Sequence, residues 1–165
     1  MLIKKLLPEH WESVKKIYEL GIATGLATFE TQVPDWNNWD EKHLPFGRLV
    51  CIIDERVAGW VAISSVSSRD VYKGIAEISI YIHPSFKGLG IGFVLLNNVI
   101  SESEENGIWT LQAGIFEENK SSYRLHEKAG FRKVGYRENL GQVNNQWHNI
   151  ILFERRSKLV GFNLI

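Results

Sequence analysis

The chain is poor in three things that commit a sequence to particular chemistries or places. It has one cysteine in 165 residues, Cys51 in the apolar run Leu49–Ile53. No disulfide framework can be built from it, the thiol reads as a buried strand residue, and a reducing, cytoplasmic setting is the expectation. Charge of either sign is not in excess: nineteen basic and nineteen acidic residues cancel, which removes the electrostatic footprint expected for nucleic acid or an anionic membrane. Apolar runs are too short to span a bilayer, and Met1–Pro8 is broken by Lys4 and Lys5 before a signal peptide can form.

Several catalytic signatures are missing as well. His10, His43, His83, His126 and His148 show no paired metal-ligand spacing, so no metal is expected, and neither a nucleophile elbow nor a Cys-x-x-Cys occurs. There is no repeat, linker or low-complexity stretch. With 44% hydrophobic and 23% charged residues, the composition is that of an ordinary globular protein, read as one domain over 1–165.

What stands out is Ile80-Tyr-Ile-His-Pro-Ser-Phe-Lys-Gly-Leu-Gly-Ile-Gly92, which runs into the apolar Phe93–Ile100. A β-branched strand hands over to a helix through a loop with glycines at 88, 90 and 92. Free backbone amides at a helix start, helped by the positive end of the helix dipole, favour a phosphate or pyrophosphate. A dinucleotide fingerprint would need glycine where Phe93 stands, and a nucleotide-triphosphate loop would need Gly-Lys followed by Ser or Thr. Neither is present, so the loop alone leaves the anion open.

The remaining pattern predicts a strand at Leu2–Leu7, then a helix entered at Pro8, with Trp11, Val14, Ile17 and Tyr18 on one stripe and Gly21 at its close. Pro34 opens a second helix carrying Trp36 and Trp39, read as core residues. Leu49–Ile53 and Val57–Ser64 form a hairpin, and Ala76–Ile82 enters the glycine loop. A helix over about 93–105, a strand at Trp109–Ile115, a helix capped at Asn119–Ser122 and ended by Gly130, and strands near Lys133–Arg137 and Trp147–Glu154 follow. The order β-α-α-β-β-β-α-β-α-β-β predicts an α/β (α+β) fold with a mixed sheet flanked by helices.

The loop Lys87-Gly-Leu-Gly90-Ile-Gly92, placed after the fourth strand, together with Asn119, Ser122 and Lys128-Ala-Gly-Phe131, resembles the two signatures of the GNAT superfamily of N-acetyltransferases. Ala27-Thr-Phe-Glu30, Arg69-x-x-Tyr72, Ala76-Glu-Ile-Ser-Ile-Tyr-Ile82, Leu125-His126 and Trp147 look like its phosphinothricin and methionine sulfoximine acetyltransferase group. The resemblance covers roughly residues 1–155. It implies a mostly antiparallel central sheet and transfer of acetyl from acetyl-CoA to the α-amino group of an amino acid or analogue. A homodimer is implied too. Lys87 departs from the Gln or Arg usual there, and Asn149 from a position that is commonly acidic.

On that resemblance, Lys87, Gly88, Leu89, Gly90, Ile91, Gly92 and Phe93 would hold the pyrophosphate, and the backbone of Ile82, His83 and Pro84 would pair with the pantetheine arm. Asn119 and Ser122 would contact its far side. Phe29, Glu30, Arg69, Tyr72, Tyr81 and Trp147 are the implied substrate contacts, with Arg69 and Tyr72 orienting a carboxylate or phosphinate.

Acyl transfer needs a neutral amine, hence a base. Period two puts Glu77, Ser79 and Tyr81 on one face of the strand, and the resemblance assigns Glu77 as that base. His126 stands where many of these enzymes have a tyrosine and is the candidate proton donor to the thiolate. Other readings are acetylation of a polyamine, an aminoglycoside or a protein terminus, or a CoA-binding sensor without catalysis.

Overall fold

The computed structural model of the protein describes residues 1–162. Seven strands form one sheet in the order β1-β2-β3-β4-β5-β7-β6. They are β1 (Leu2–Lys5), β2 (Leu49–Ile53), β3 (Arg56–Ser65), β4 (Ile75–Ile82), β5 (Thr110–Phe116), β6 (Arg132–Val143) and β7 (Gln146–Arg156). The helices are α1 (Trp11–Ile22), α2 (Trp36–Lys42), α3 (Ile91–Glu105) and α4 (Lys120–Lys128). The element order is the one expected. Every neighbouring pair is antiparallel except β4 and β5.

Local chemistry accounts for the turns. Asp54 and Glu55 both take positive φ between β2 and β3, and Asn144 and Asn145 do so between β6 and β7. Two consecutive left-handed residues make the tight hairpin turn that matches strand twist, and Asn and Asp tolerate that region best. Asp35 caps α2 by accepting from the Asn38 amide at 2.9 Å, so the helix begins at Trp36 and Pro34 lies before it.

Two cores cover the two faces of the sheet. On one face α3 buries Ile91, Leu95, Leu96, Val99 and Ile100 in a cluster with Val61, Ile63, Ala76 and Ile78. That helical spacing is what the apolar run encodes, and cutting Leu95 to alanine there would cost about 2–5 kcal/mol. On the other face Trp11, Val14, Ile17 and Trp39 pack with Val50, Trp60 and Ala62. Trp39 is 1% exposed, in keeping with its reading as core.

Three expectations are corrected. Gly21 does not close α1, which continues to Ile22; a Cβ on Gly21 would lie 2.4 Å from the Tyr81 ring, so this glycine lets β4 approach the helix. α3 begins at Ile91 rather than 93, because Gly90 at φ 76° provides its left-handed start. β6 extends past Arg137 to Val143, across a register slip between Arg137 and Gly141. The apolar tail 159–165 is described only to Phe162, and its last three residues lie outside the described residues.

Candidate active site

The site begins where two strands stop pairing. β4 and β5 share only the rungs Ile75–Thr110, Ala76–Leu111 and Glu77–Gln112. Beyond them β4 follows β3 up to the pair Ile82–Gly59, and β5 follows β7 up to the pair Phe116–Ile150. The wedge between them opens into a cavity of about 350 Å³, lined among others by Glu77, Ser79, Tyr81, Gln112, Phe116 and His126.

The wedge leaves part of the β4 backbone without a partner strand. His83 donates its amide to the Ala58 carbonyl at 2.9 Å, and an antiparallel ladder alternates, so the amides and carbonyls of Ile80 and Ile82 point to the open edge. Of the three residues expected to pair with an extended arm, Ile82 is therefore free to do so. The His83 amide is already engaged, and Pro84 has none.

Past Ile82 a 3-10 turn, Pro84–Phe86, is capped by the His83 side chain accepting from Ser85 at 3.1 Å. Gly88 and Gly90 then take φ of 82° and 76°, and a Cβ at either would meet nothing within 4 Å. Glycine is required there by conformation, not by crowding. The first bond of α3 is Val94 to the Gly90 carbonyl at 3.2 Å, so the amides of Ile91, Gly92 and Phe93 have no partner inside the helix. Gly92 has a different task. A Cβ there would sit 2.9 Å from Leu125, so it brings α3 against α4.

α4 supplies the opposite wall. Asn119 accepts from the Ser122 amide at 3.2 Å and from the Ser121 hydroxyl at 3.0 Å. Its amide donates to the Leu26 carbonyl at 3.3 Å. One of its two N–H hydrogens remains for the cavity. His126 is 2% exposed, and its Nδ1 lies 2.8 Å from the Ser122 carbonyl. A carbonyl can only accept, so Nδ1 carries the proton and Nε2 of the neutral ring is a bare acceptor. That buried Nε2 has no partner among the described residues. Burial holds the ring below its ordinary pKa of 6.5, offset in part by the bond to Ser122.

Glu77 and Tyr81 complete the β4 wall. Gln112 donates to Glu77 at 2.9 Å. Tyr81 stacks on Trp60 with centroids 4.9 Å apart, and burial, then the neighbouring Tyr18, push its phenol well above 10. It is a neutral hydrogen-bonding group, not a base. Phe29 packs on Phe116 at 4.7 Å and lies where a Gly141 Cβ would be.

The structure thus brings Phe29, Glu77, Tyr81, Asn119, Ser122 and His126 to one cavity. Four expected contacts are not among the lining residues. Glu30 follows the lining segment and is exposed. Arg69 lies over its own neighbour Tyr72, 5.4 Å from the ring, in the loop before β4. Trp147 is 56% exposed on the β6–β7 hairpin. Gln112, Gly114, Phe116 and Arg137 line the cavity without having been expected. The first three share a strand face at period two, a signal present in the sequence of β5.

Asn149 ties β7 to the slipped part of β6. Its Oδ1 accepts from the Asn139 amide at 2.8 Å and its Nδ2 donates to Glu117 at 2.8 Å. Asn139 has φ 45°, so this side chain pins the slipped part of β6. The Glu117 carboxyl is held below the usual range, first by that bond.

Residues 11–131 match the model of the acetyltransferase (GNAT) family. A relative from Bacillus subtilis (strain 168), provisionally named a phosphinothricin acetyltransferase, is 31% identical over 156 residues, spanning 90% of this chain and 96% of its own. The L-methionine sulfoximine/L-methionine sulfone acetyltransferase of Salmonella typhimurium is 26% identical over 147 residues, 86% of each chain. Among solved structures, a Salmonella typhimurium protein described with acetyl-CoA as its cofactor superposes with a TM-score of 0.87 at 25% identity, covering 94% of this chain and 92% of that one.

Proposed function

The chain belongs to the GNAT family of acetyltransferases, and from that premise we propose that it transfers an acetyl group from acetyl-CoA to the α-amino group of an amino acid or a close analogue such as phosphinothricin or methionine sulfoximine. The observation that carries this reading is the wedge between β4 and β5. It joins the helix-start amides of Ile91, Gly92 and Phe93, which have no backbone partner among the described residues, a strand edge at Ile80 and Ile82, and a cavity edged by Glu77. The names of the relatives at 31% and 26% identity support the acceptor class.

The residues suit such a donor. Helix-start amides and the α3 dipole favour a pyrophosphate, with Lys87 adding a positive charge. The open β4 edge suits an extended amide-bearing arm, which would dock as an added strand. Bound acetyl-CoA would supply an activated acyl carbon and a thiolate leaving group.

The chain's own residues do the rest. Glu77, held by Gln112, is the group to take the proton from the acceptor's ammonium, directly or through a water, because only the neutral amine is a nucleophile. The remaining Asn119 N–H is a donor for an oxygen that gains negative charge as the C–N bond forms; the C–S bond then breaks, and the second proton lost by the nitrogen goes to the departing thiolate or to water. His126 in its neutral form holds no proton at Nε2, so as a donor it would have to charge first. A thiol near pKa 8.5 leaves as thiolate with little help, and we assign His126 no proton transfer in the reaction.

Release of CoA thiol, measured against amino acids, methionine sulfone, methionine sulfoximine, phosphinothricin, polyamines, aminoglycosides and a peptide amine, tests the proposal. Turnover is expected with the amino-acid analogues. Turnover with polyamines alone, or tight acetyl-CoA binding without release for any amine, would overturn it.

A further inference from the structure

The cavity contains one cation that neither signature motif marks. Arg137 lies on β6 opposite Ile150, and both line the cavity wall. Directly opposed residues project to the same side of a sheet, so Arg137 stands on the face that carries Ile150, Phe116 and Gly114. It is the last β6 residue in register before the slip. The segment after it is fixed by Asn149 holding the Asn139 amide and by Phe29 lying against Gly141. Bulges of this kind re-aim the side chains beside them.

Its neighbours in the sheet are occupied and it is not. Arg132 pairs with Glu154, and Arg155 with Glu104 at 2.9 Å. Arg156 donates to the carbonyls of Trp109, Val160 and Gly161. Among the described residues no carboxylate or carbonyl takes the guanidinium of Arg137. Arg69, the arginine expected to meet an anionic substrate, rests on Tyr72 outside the cavity wall. The cavity therefore carries Glu77 on the β4 side and an unpaired guanidinium three strands across the sheet. That is the charge pattern for a molecule with an amine at one end and an oxyanion at the other.

We propose that Arg137 selects the acceptor, holding a carboxylate or phosphinate oxyanion of the substrate in a forked hydrogen-bonded pair. This rests on the amino-acid reading above. The pair makes a neutral or polycationic amine a poor substrate.

The test compares kcat/KM of the wild type, Arg137→Ala, Arg137→Gln and Arg137→Lys on phosphinothricin, methionine sulfone and the carboxamide of methionine sulfone. The alanine variant is expected to lose about 10- to 100-fold on phosphinothricin, mainly through KM, and less than about threefold on the carboxamide. Lysine should restore part of the loss, since it keeps the charge without the fork. If methionine sulfone behaves like phosphinothricin, the bound oxyanion is the α-carboxylate; if it behaves like its carboxamide, the bound group is the distal phosphinate. Either result supports Arg137 as the selector. Equal losses on all three substrates, or none, overturn it. Glutamine repeats the measurement with a side chain close in length, should alanine disturb the fold, and acetyl-CoA binding by calorimetry checks each variant. A wild type that acetylates only polyamines would defeat the amino-acid reading itself, an outcome visible without any variant.

Discussion

Gln112 donates to the carboxylate of Glu77 at 2.9 Å, across the last rung on which β4 and β5 pair. The bond engages one oxygen and leaves the other without a partner among the described residues, at the edge of the wedge. Glu77→Gln is therefore expected to lower kcat by about 10²–10⁴-fold while leaving the acetyl-CoA dissociation constant unchanged. The deficit should shrink as pH rises beyond about 8, where the amine begins to lose its proton unaided. Steady-state kinetics from pH 6.5 to 9.5 with calorimetric binding checks both parts, and unaltered turnover would remove Glu77 from the chemistry.

Gly21 and Tyr81 offer a second test, linking packing to the site. Gly21→Ala would gain up to about 1 kcal/mol of helix propensity, but its Cβ would fall 2.4 Å from a ring held by Trp60 and Tyr18. Overpacking of that kind costs about 1–3 kcal/mol, so the variant should melt lower than the wild type, and its KM for the amine should rise because Tyr81 lines the cavity. A higher melting temperature with unchanged KM would contradict this.

One buried and one half-buried imidazole make stability depend on pH. His126 and His43 both titrate below the ordinary value of 6.5, chiefly through burial. Between the lowered folded value and 6.5 the unfolded chain binds more protons, so stability is complete above about pH 6.5 and falls as the pH drops through that window. Each group contributes a slope of up to about 1.4 kcal/mol per pH unit. Urea midpoints from pH 5 to 7.5 should show the decline, and His126→Asn should flatten it in part, leaving the His43 share.

Asn149→Asp tests why an amide stands at that position. The aspartate could still accept from Asn139, but it would set a second carboxylate against Glu117 where the amide now donates at 2.8 Å. The variant should be less stable than the wild type at pH 7 and recover toward pH 4, as one of the two carboxyls takes a proton. Thermal melts at the two pH values read the difference.

Much of this was legible in the residues. The order of elements followed from hydrophobic period and from Pro, Gly and Asn at their boundaries. Glu77, Tyr81 and the glycine loop are legible as candidates because β4 and its exit lie in one continuous stretch, and Glu77 and Tyr81 do line the cavity. Gly21 was misread as a terminator because a packing glycine and a capping glycine look alike until the facing ring is known. Arg137 was missed for a related reason. Its place in the cavity depends on a register slip in β6 and on strand pairing across β7, both tertiary facts. The role of Arg69 follows from motif position alone, and its guanidinium lies over the Tyr72 ring in the loop before β4.

In the proposed reaction the wedge between β4 and β5 delivers acetyl to an α-amino nitrogen. Incubating the protein with acetyl-CoA labelled with carbon-13 at the acetyl carbonyl, together with phosphinothricin or methionine sulfone, tests it most directly by NMR of the product. The expected product carries a labelled amide carbon on the α-nitrogen, with free CoA in equal amount. Label that remains on CoA with every amino-acid acceptor, while a polyamine or a peptide terminus is acetylated, would contradict it.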